Sequence, residues 1–203
     1  MERIDVAADE NAFLQTGQGS PEEPGGRQKC YPAGRLNYGS LIMIEKTVFR
    51  PMRRFKQALA NEECAFILEH AYRGFLSVLG DNGYPYCVPI NFVYEGGKLY
   101  FHCAKEGHKL DAIRACDKAC FTVLDEPEIE PGEWWYHVKS VICFGRVTVM
   151  ADDEERLLRL RSLAEKYFPK GYDTESDIQR NGPKAEILQF TIEHMTGKAV
   201  REK

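Results

Sequence analysis

The stretch from Gly74 to Asp117 constrains this chain most. It reads GFLSVLG, a DNG turn, YPYCVPINFVYE, a GGK turn, and LYFHCA before a polar loop. Turn dipeptides between alternating apolar runs are the strongest short-range hairpin signal, so three antiparallel strands in a meander are expected. In the middle strand Tyr84, Tyr86, Val88, Ile90, Phe92 and Tyr94 share one face, and Pro85, Cys87, Pro89, Asn91 and Val93 share the other. Proline cannot donate to a ladder. Pro85 and Pro89 therefore restrict this strand to an edge, a bulge, or a place where something other than a strand lies alongside, which leaves a gap for a ligand.

After LYFHCA comes KEGHK and the start of a short helix, KLDAIRACD. Free backbone N–H groups at a helix N-terminus suit an anion, and glycine lets the anion approach the backbone. Gly107, His108 and Lys109 thus form either a phosphate seat or a plain turn with a solvated lysine.

The flanking chain supports this meander. Asn61 followed by Glu62 and Glu63 opens a helix, with Cys64, Ile67, Leu68 and Ala71 at helical spacing. Leu99, Phe101 and Cys103 alternate with Tyr100, His102 and Ala104, and Ala119, Phe121 and Val123 alternate with Cys120, Thr122 and Leu124. DEPEIEPGE is an exposed loop, and the Trp134-Trp135-Tyr136 cluster packs the core or a dimer contact, with a ligand wall as the alternative. Ser140 to Met150 reads as a long strand bent at Gly145. Asp152 and Glu155 have capping-box spacing for a helix whose buried face is Leu157, Leu160, Ala164 and Tyr167, stopped by Pro169. KGYDTESDIQRNGPK is a loop with a turn of helix, and Leu188 to Glu193 is a closing strand before the tail HMTGKAVREK. Six strands with few helices make a mainly β, α+β chain built on a small antiparallel barrel.

Composition narrows the function classes. At 203 residues and 43% hydrophobic the chain supports one core. Residues 1–45, broken by Gly and Pro, read as a mobile tail, and residues 46–203 form the domain. Met43 or Met52 is a candidate start of the functional chain. A net charge of -4 with no basic block beyond Arg53-Arg54 gives no footprint for nucleic acid or an anionic membrane. With no signal-peptide pattern and no membrane-length apolar run, a cytoplasmic protein is expected. The seven scattered cysteines read as reduced thiols. Cys116 and Cys120 with His102 or His108 match no standard zinc spacing, so no metal is expected. The absence of G-x-G-x-x-G and of a β-α-β pattern argues against a Rossmann site.

MRRFKQ, YPYCVPINFVY, LYFHCAKEGHKLD, SVICFGRV and HMTGK, in that order, carry a family likeness. Together they resemble the Nim-type nitroimidazole-resistance proteins, a branch of the pyridoxamine 5'-phosphate oxidase-like flavoproteins, over about residues 50 to 199. The resemblance implies a six-stranded antiparallel split β-barrel with flanking helices, a homodimer with FMN between subunits, and reduction of a nitro group. It further implies that Val88, Pro89, Ile90 and Asn91 line the isoalloxazine, and that His102, Cys103 and Ala104 follow the ribityl chain. Gly107, His108 and Lys109 would hold the phosphate, with Ser140 and Val141 contributing from the partner strand. Cys103 stands where the family commonly has Ser. The substrate-binding arginine and histidine of pyridoxamine phosphate oxidase itself have no match in HMTGKAVREK, so the likeness does not extend to vitamin B6 oxidation. His102 reads either as a proton donor beside the cofactor or as a structural residue. Three readings follow: an FMN-dependent reductase of an electron-poor small molecule, a non-catalytic flavin-binding or redox-sensing protein, and a haem-binding relative.

Overall fold

A computed structural model describes residues 48–201. The tail expected over residues 1–45 lies outside the described residues. Seven strands form one antiparallel sheet: β1 (Arg73–Leu79), β2 (Pro85–Asn91), β3 (Val93–Glu95), β4 (Lys98–Ala104), β5 (Lys118–Leu124), β6 (His137–Val149) and β7 (Ala185–Arg201). Their spatial order is β2-β1-β5-β6-β7-β4-β3. The sheet curls until β2, at one end of that order, approaches β4 near the other, which makes a split barrel. Around it lie α1 (Asn61–His70), α2 (His108–Ala115), α3 (Asp153–Tyr167) and α4 (Thr174–Asn181). None of the helices among the described residues is long and apolar enough to cross a membrane.

The seventh strand arises because YPYCVPINFVYE is broken at Phe92 into β2 and β3. The hydroxyl of Tyr167 replaces a strand there. It accepts from the Phe92 N–H at 2.9 Å and lies 2.8 Å from the Phe92 carbonyl and 2.5 Å from the Tyr72 carbonyl, one of which takes its proton. Among the described residues β2 is an edge strand paired only with β1, so Pro85 and Pro89 cost no ladder bond.

The bend at Gly145 is a register shift between Phe144 and Gly145 on β6. A side chain cannot fit there, since a Cβ at Gly145 would sit 2.1 Å from the Thr191 carbonyl oxygen. Inside the barrel Leu76, Phe92, Leu99, Phe101, Phe121 and Phe190 are fully buried in one cluster, which α1 caps with Cys64, Ile67 and Leu68. A second, smaller cluster of Val93, Tyr100, Met150, Leu163 and Ile187 sits on the outer side of β3 and β4, under α3.

Four local expectations need correction. Leu157 is 41% exposed, and the buried face of α3 is carried by Leu163 and Ala164 with Leu160 and Tyr167 beside them. The helix starts as expected, Asp152 Oδ1 accepting from the Glu155 N–H at 2.8 Å, but its axis is rotated toward Leu163. The segment read as a loop contains all of α4, because Asp173 caps it by accepting from the Ser176 N–H at 3.2 Å. HMTGK is not a tail but the second half of β7, paired with β6 as far as Arg201. Finally, Trp134 is 74% exposed and Tyr136 44%, so these two do not pack the core of their own chain, whereas Trp135 between them is half-buried.

Cys64, Cys87, Cys103, Cys120 and Cys143 are free thiols. Cys116 is disulfide-bonded, which corrects the reading of a wholly reduced set. A scattered odd count argues against a disulfide framework but leaves room for one bridge.

Candidate functional site

The strand alternation of β4 decides where its side chains go. Leu99, Phe101 and Cys103 enter the barrel, while Tyr100, His102 and Ala104 face outward toward α3 and α4. Tyr100 is covered by α3, with the Arg159 guanidinium 4.4 Å above its ring. One step further along, His102 opens into a cleft of about 220 Å³ walled by Leu160, Leu163, Ala164 and Tyr167 of α3 and by Ile178 of α4. Asn91, the last residue of β2, lines the same cleft. The barrel curl brings the ends of β2 and β4 together there.

No hydrogen bond or ion pair claims the His102 ring among the described residues. Although the residue opens to the cleft, the surrounding protein atoms lower its pKa below the usual histidine range, and the Lys109 charge lowers it further. The imidazole is therefore held toward its neutral form. Cys103, pointing the other way, has its thiol pushed up by burial, an effect that Lys109 partly opposes. Lys109 is thus close enough to act on both.

Lys109 stands in the first turn of α2. Gly107, the residue before the helix, has φ 120°, a conformation that favours glycine, and the space in front of its Cα is open, with nothing within 4 Å of where a Cβ would lie. The Gly107 carbonyl accepts from the N–H groups of Leu110 at 2.9 Å and Asp111 at 3.2 Å, leaving those of His108 and Lys109 without an acceptor among the described residues. Lys109 has no ion pair among the described residues. His108 is occupied: it lies 3.3 Å from Asp81 and its ring packs on Tyr86 at 4.3 Å, pinning α2 to the β1–β2 hairpin. Two free N–H groups, a free ammonium and an open approach fit a phosphate. Among the described residues no three His, Cys, Asp or Glu side chains cluster as metal ligands.

The residues singled out from the sequence do not all meet. Asn91 and His102 meet in the cleft, Lys109 reaches it only through its charge on His102 because α2 begins against Tyr86 at the other end of β2, and Pro89 and Ala104 are exposed. Val88 packs on the core and Ile90 is buried in it, so only their backbone could serve a ligand. Val141 is fully buried, and Ser140 pairs with Lys198 on β7, whereas His102 pairs with Ile187. Those two β7 positions are separated by roughly 35 Å of strand at about 3.3 Å per residue. Within one chain Ser140 and Val141 stay apart from the group. Sequence reading missed the α3–α4 wall, although Asp173 and Ser176 carry a helix-start signal and Tyr167 is the last residue before the stop at Phe168-Pro169.

The fold recurs in solved structures. A protein of Bacteroides thetaiotaomicron, provisionally named a 5-nitroimidazole antibiotic resistance protein, is 24% identical over 70% of this chain and 86% of its own, with a TM-score of 0.59. A conserved hypothetical protein of Mycobacterium tuberculosis superposes with a TM-score of 0.63 at 14% identity, covering 73% of this chain and 90% of that one. The FAD and haem binding protein of Mycobacterium smegmatis reaches 0.59 at 21% identity, covering 73% and 74%. A search of curated proteins found no significant match. The profile described as pyridoxamine 5'-phosphate oxidase matches residues 60–199, well over half of the sequence, and by that match the chain belongs to the pyridoxamine 5'-phosphate oxidase family.

Proposed function

We propose that this protein is an FMN-binding oxidoreductase that reduces a nitro-aromatic or other electron-poor small molecule, working as a homodimer in the cytoplasm. The observation that carries the reading is the unclaimed Lys109 and helix mouth of α2 beside the open edge of β2 and the free ring of His102. Lys109 and the N–H groups of His108 and Lys109 hold the phosphate. The edge of β2 from Val88 to Asn91 presents its backbone to the flat ring system. FMN, when bound, supplies the two-electron chemistry, and the protein orients it and excludes water. The neutral His102 ring is placed to hold or pass a proton at the cleft.

Ser140 and Val141, distant from this group in one chain, reach it from a second copy. A dimer also accounts for the outer face of β1, β5 and β6, where Phe75, Leu124 and Phe144 are exposed. The likeness to the Bacteroides protein supports a nitro-aromatic substrate, and the likeness to the mycobacterial FAD and haem binding protein supports flavin in general. That same neighbour favours a second reading, in which the chain binds flavin or haem without dedicated turnover.

Absorbance of the purified protein separates the readings: flavin bands support the first, and a Soret band overturns it in favour of haem. Lys109→Ala then tests the seat. A charge-assisted hydrogen bond is worth roughly 1.5–3 kcal/mol, and losing about 2 kcal/mol weakens FMN roughly thirtyfold. Riboflavin, which lacks the phosphate, should lose far less. Equal losses for both ligands would remove Lys109 from the phosphate site. Light scattering at micromolar concentration tests the dimer, and a monomer would refute it.

A further inference from the structure

The cysteines do not all share one state. Cys64, Cys87, Cys103, Cys120 and Cys143 are free thiols, whereas Cys116 is disulfide-bonded. The sequence holds seven cysteines. Cys30, outside the described residues, is the seventh and the one partner left for Cys116 within the chain. Cys116 closes α2: its N–H donates to the Ala112 carbonyl at 2.8 Å, and the residue is 8% exposed. The helix in turn plugs the barrel, with Leu110, Ala112 and Ile113 buried in the main core cluster.

Reach permits that pairing. The Phe49 ring stacks on His194 at 4.6 Å and packs beside Phe144 at 5.7 Å, which fixes where the chain N-terminal to it leaves the sheet. Phe144 on β6 pairs with Cys120 on β5, and Cys116 precedes the start of β5. At about 3.3 Å per strand residue and about 4.8 Å between strands, Cys116 lies roughly 15–20 Å from that exit. The stretch from Cys30 to Phe49 spans at most roughly 65 Å when extended. The surroundings of Cys116 also bear on how such a bond would behave. Asp81 and Asp111 line a hollow of about 60 Å³ with it, and Arg114, 3.5 Å from Asp111, offsets part of their charge. An attacking thiolate has to reach a buried sulfur past these carboxylates, and the sulfur released by reduction faces the carbonyl end of α2.

We propose that Cys30 and Cys116 form an intrachain disulfide that fastens the N-terminal segment to the end of α2 and resists reduction by monothiols. It forms by exchange with a low-molecular-weight disulfide. One cysteine thiolate displaces a small thiol to give a mixed disulfide, and the second cysteine displaces the other; the two protein thiols are oxidised, and the small disulfide takes up two electrons and two protons as two thiols. In a reducing compartment a disulfide persists only where its reduction is unfavourable or slow, which is the setting that burial and the carboxylates give Cys116. The bond closes a long loop in the unfolded chain but only the stretch from Cys30 to Phe49 in the folded one, so it favours the folded state. This proposal does not depend on the flavin reading.

The test uses the full chain, purified without reductant and with its thiols blocked by iodoacetamide in denaturant. Five of the seven cysteines should be alkylated, and non-reducing peptide mapping should return one cross-linked species joining the peptides of Cys30 and Cys116. Incubation of the native protein in a millimolar glutathione buffer poised near that of the cytoplasm should leave most of that species intact, while tris(carboxyethyl)phosphine opens it. Opening should lower Tm by about 3 °C or more. Cys30→Ser should show the same fall with no further loss on reduction, and its Cys116 should become alkylatable in denaturant. Seven alkylated cysteines before reduction, Cys116 cross-linked to another residue or to a second copy, complete opening by glutathione, or a wild-type Tm in Cys30→Ser would each overturn the proposal.

Discussion

Replacing Tyr167 by Phe removes one oxygen from a half-buried residue and tests how the barrel is held open. In the native structure that oxygen accepts from the Phe92 N–H at 2.9 Å and lies within 2.8 Å of the Phe92 carbonyl and 2.5 Å of the Tyr72 carbonyl. Phe92 lies between β2 and β3, where no neighbouring strand takes up its N–H, and its ring is fully buried against Phe121 at 4.8 Å. Water therefore has poor access to the group that loses its partner. A buried donor left without an acceptor costs about 1–3 kcal/mol, and a value near 2 kcal/mol is expected here. For a chain of this size that corresponds to a fall in Tm of about 4–8 °C. Urea unfolding should show a lower midpoint at unchanged slope, since the area exposed on unfolding is the same. Tyr172→Phe is the control, because its hydroxyl is exposed and makes only a 3.4 Å contact to Asp177. A loss below about 0.5 kcal/mol for Tyr167→Phe, the range of ordinary surface changes, would show that the break at Phe92 is solvated and that Tyr167 does not define it.

Three further outcomes are expected. Gly145→Ala drives a Cβ to 2.1 Å from the Thr191 carbonyl, a backbone atom that cannot turn aside, so a loss of about 3 kcal/mol or more in urea midpoint or a collapse in soluble yield is expected; a wild-type midpoint would refute the close approach. Because the folded-state pKa of His102 lies below its ordinary 6.5, the folded chain resists the proton that the unfolded chain takes up. The stability of wild type relative to His102→Gln should therefore be constant above pH 6.5 and shrink as pH falls through it; a difference independent of pH from 7.5 to 5 would contradict this. Burial pushes the Cys143 thiol up to about 12, and the residue is fully enclosed, whereas Cys87 is exposed. Native-state alkylation followed by peptide mapping should label Cys87 quickly and Cys143 only on unfolding; comparable native rates would show that the core around β6 opens.

Local chemistry made much of this protein legible from its residues. The DNG and GGK turns place β1, β2 and β4, the prolines at 85 and 89 mark an edge, Gly145 marks the bulge, and Gly107 to Lys109 marks a helix mouth that suits an anion. Each of these signals acts within a few residues, through proline's missing donor, glycine's freedom at positive φ, or the two-residue period of a strand. Tertiary structure decided what those rules do not reach. A strand pattern running on from Tyr84 to Glu95 contains no signal for its break, because the group that ends β2 at Phe92 is the hydroxyl of Tyr167, 75 residues away. The rotation of α3 toward Leu163 followed from which side chains fitted over Tyr100 and Ile187, and not from its own periodicity. The pairing of HMTGK with β6 needed the length of β6 beside it, since its composition alone is that of a tail. Alternation put His102 on the outer face of β4, but only the docking of α3 and α4 over that face turned an exposed strand histidine into the wall of a cleft.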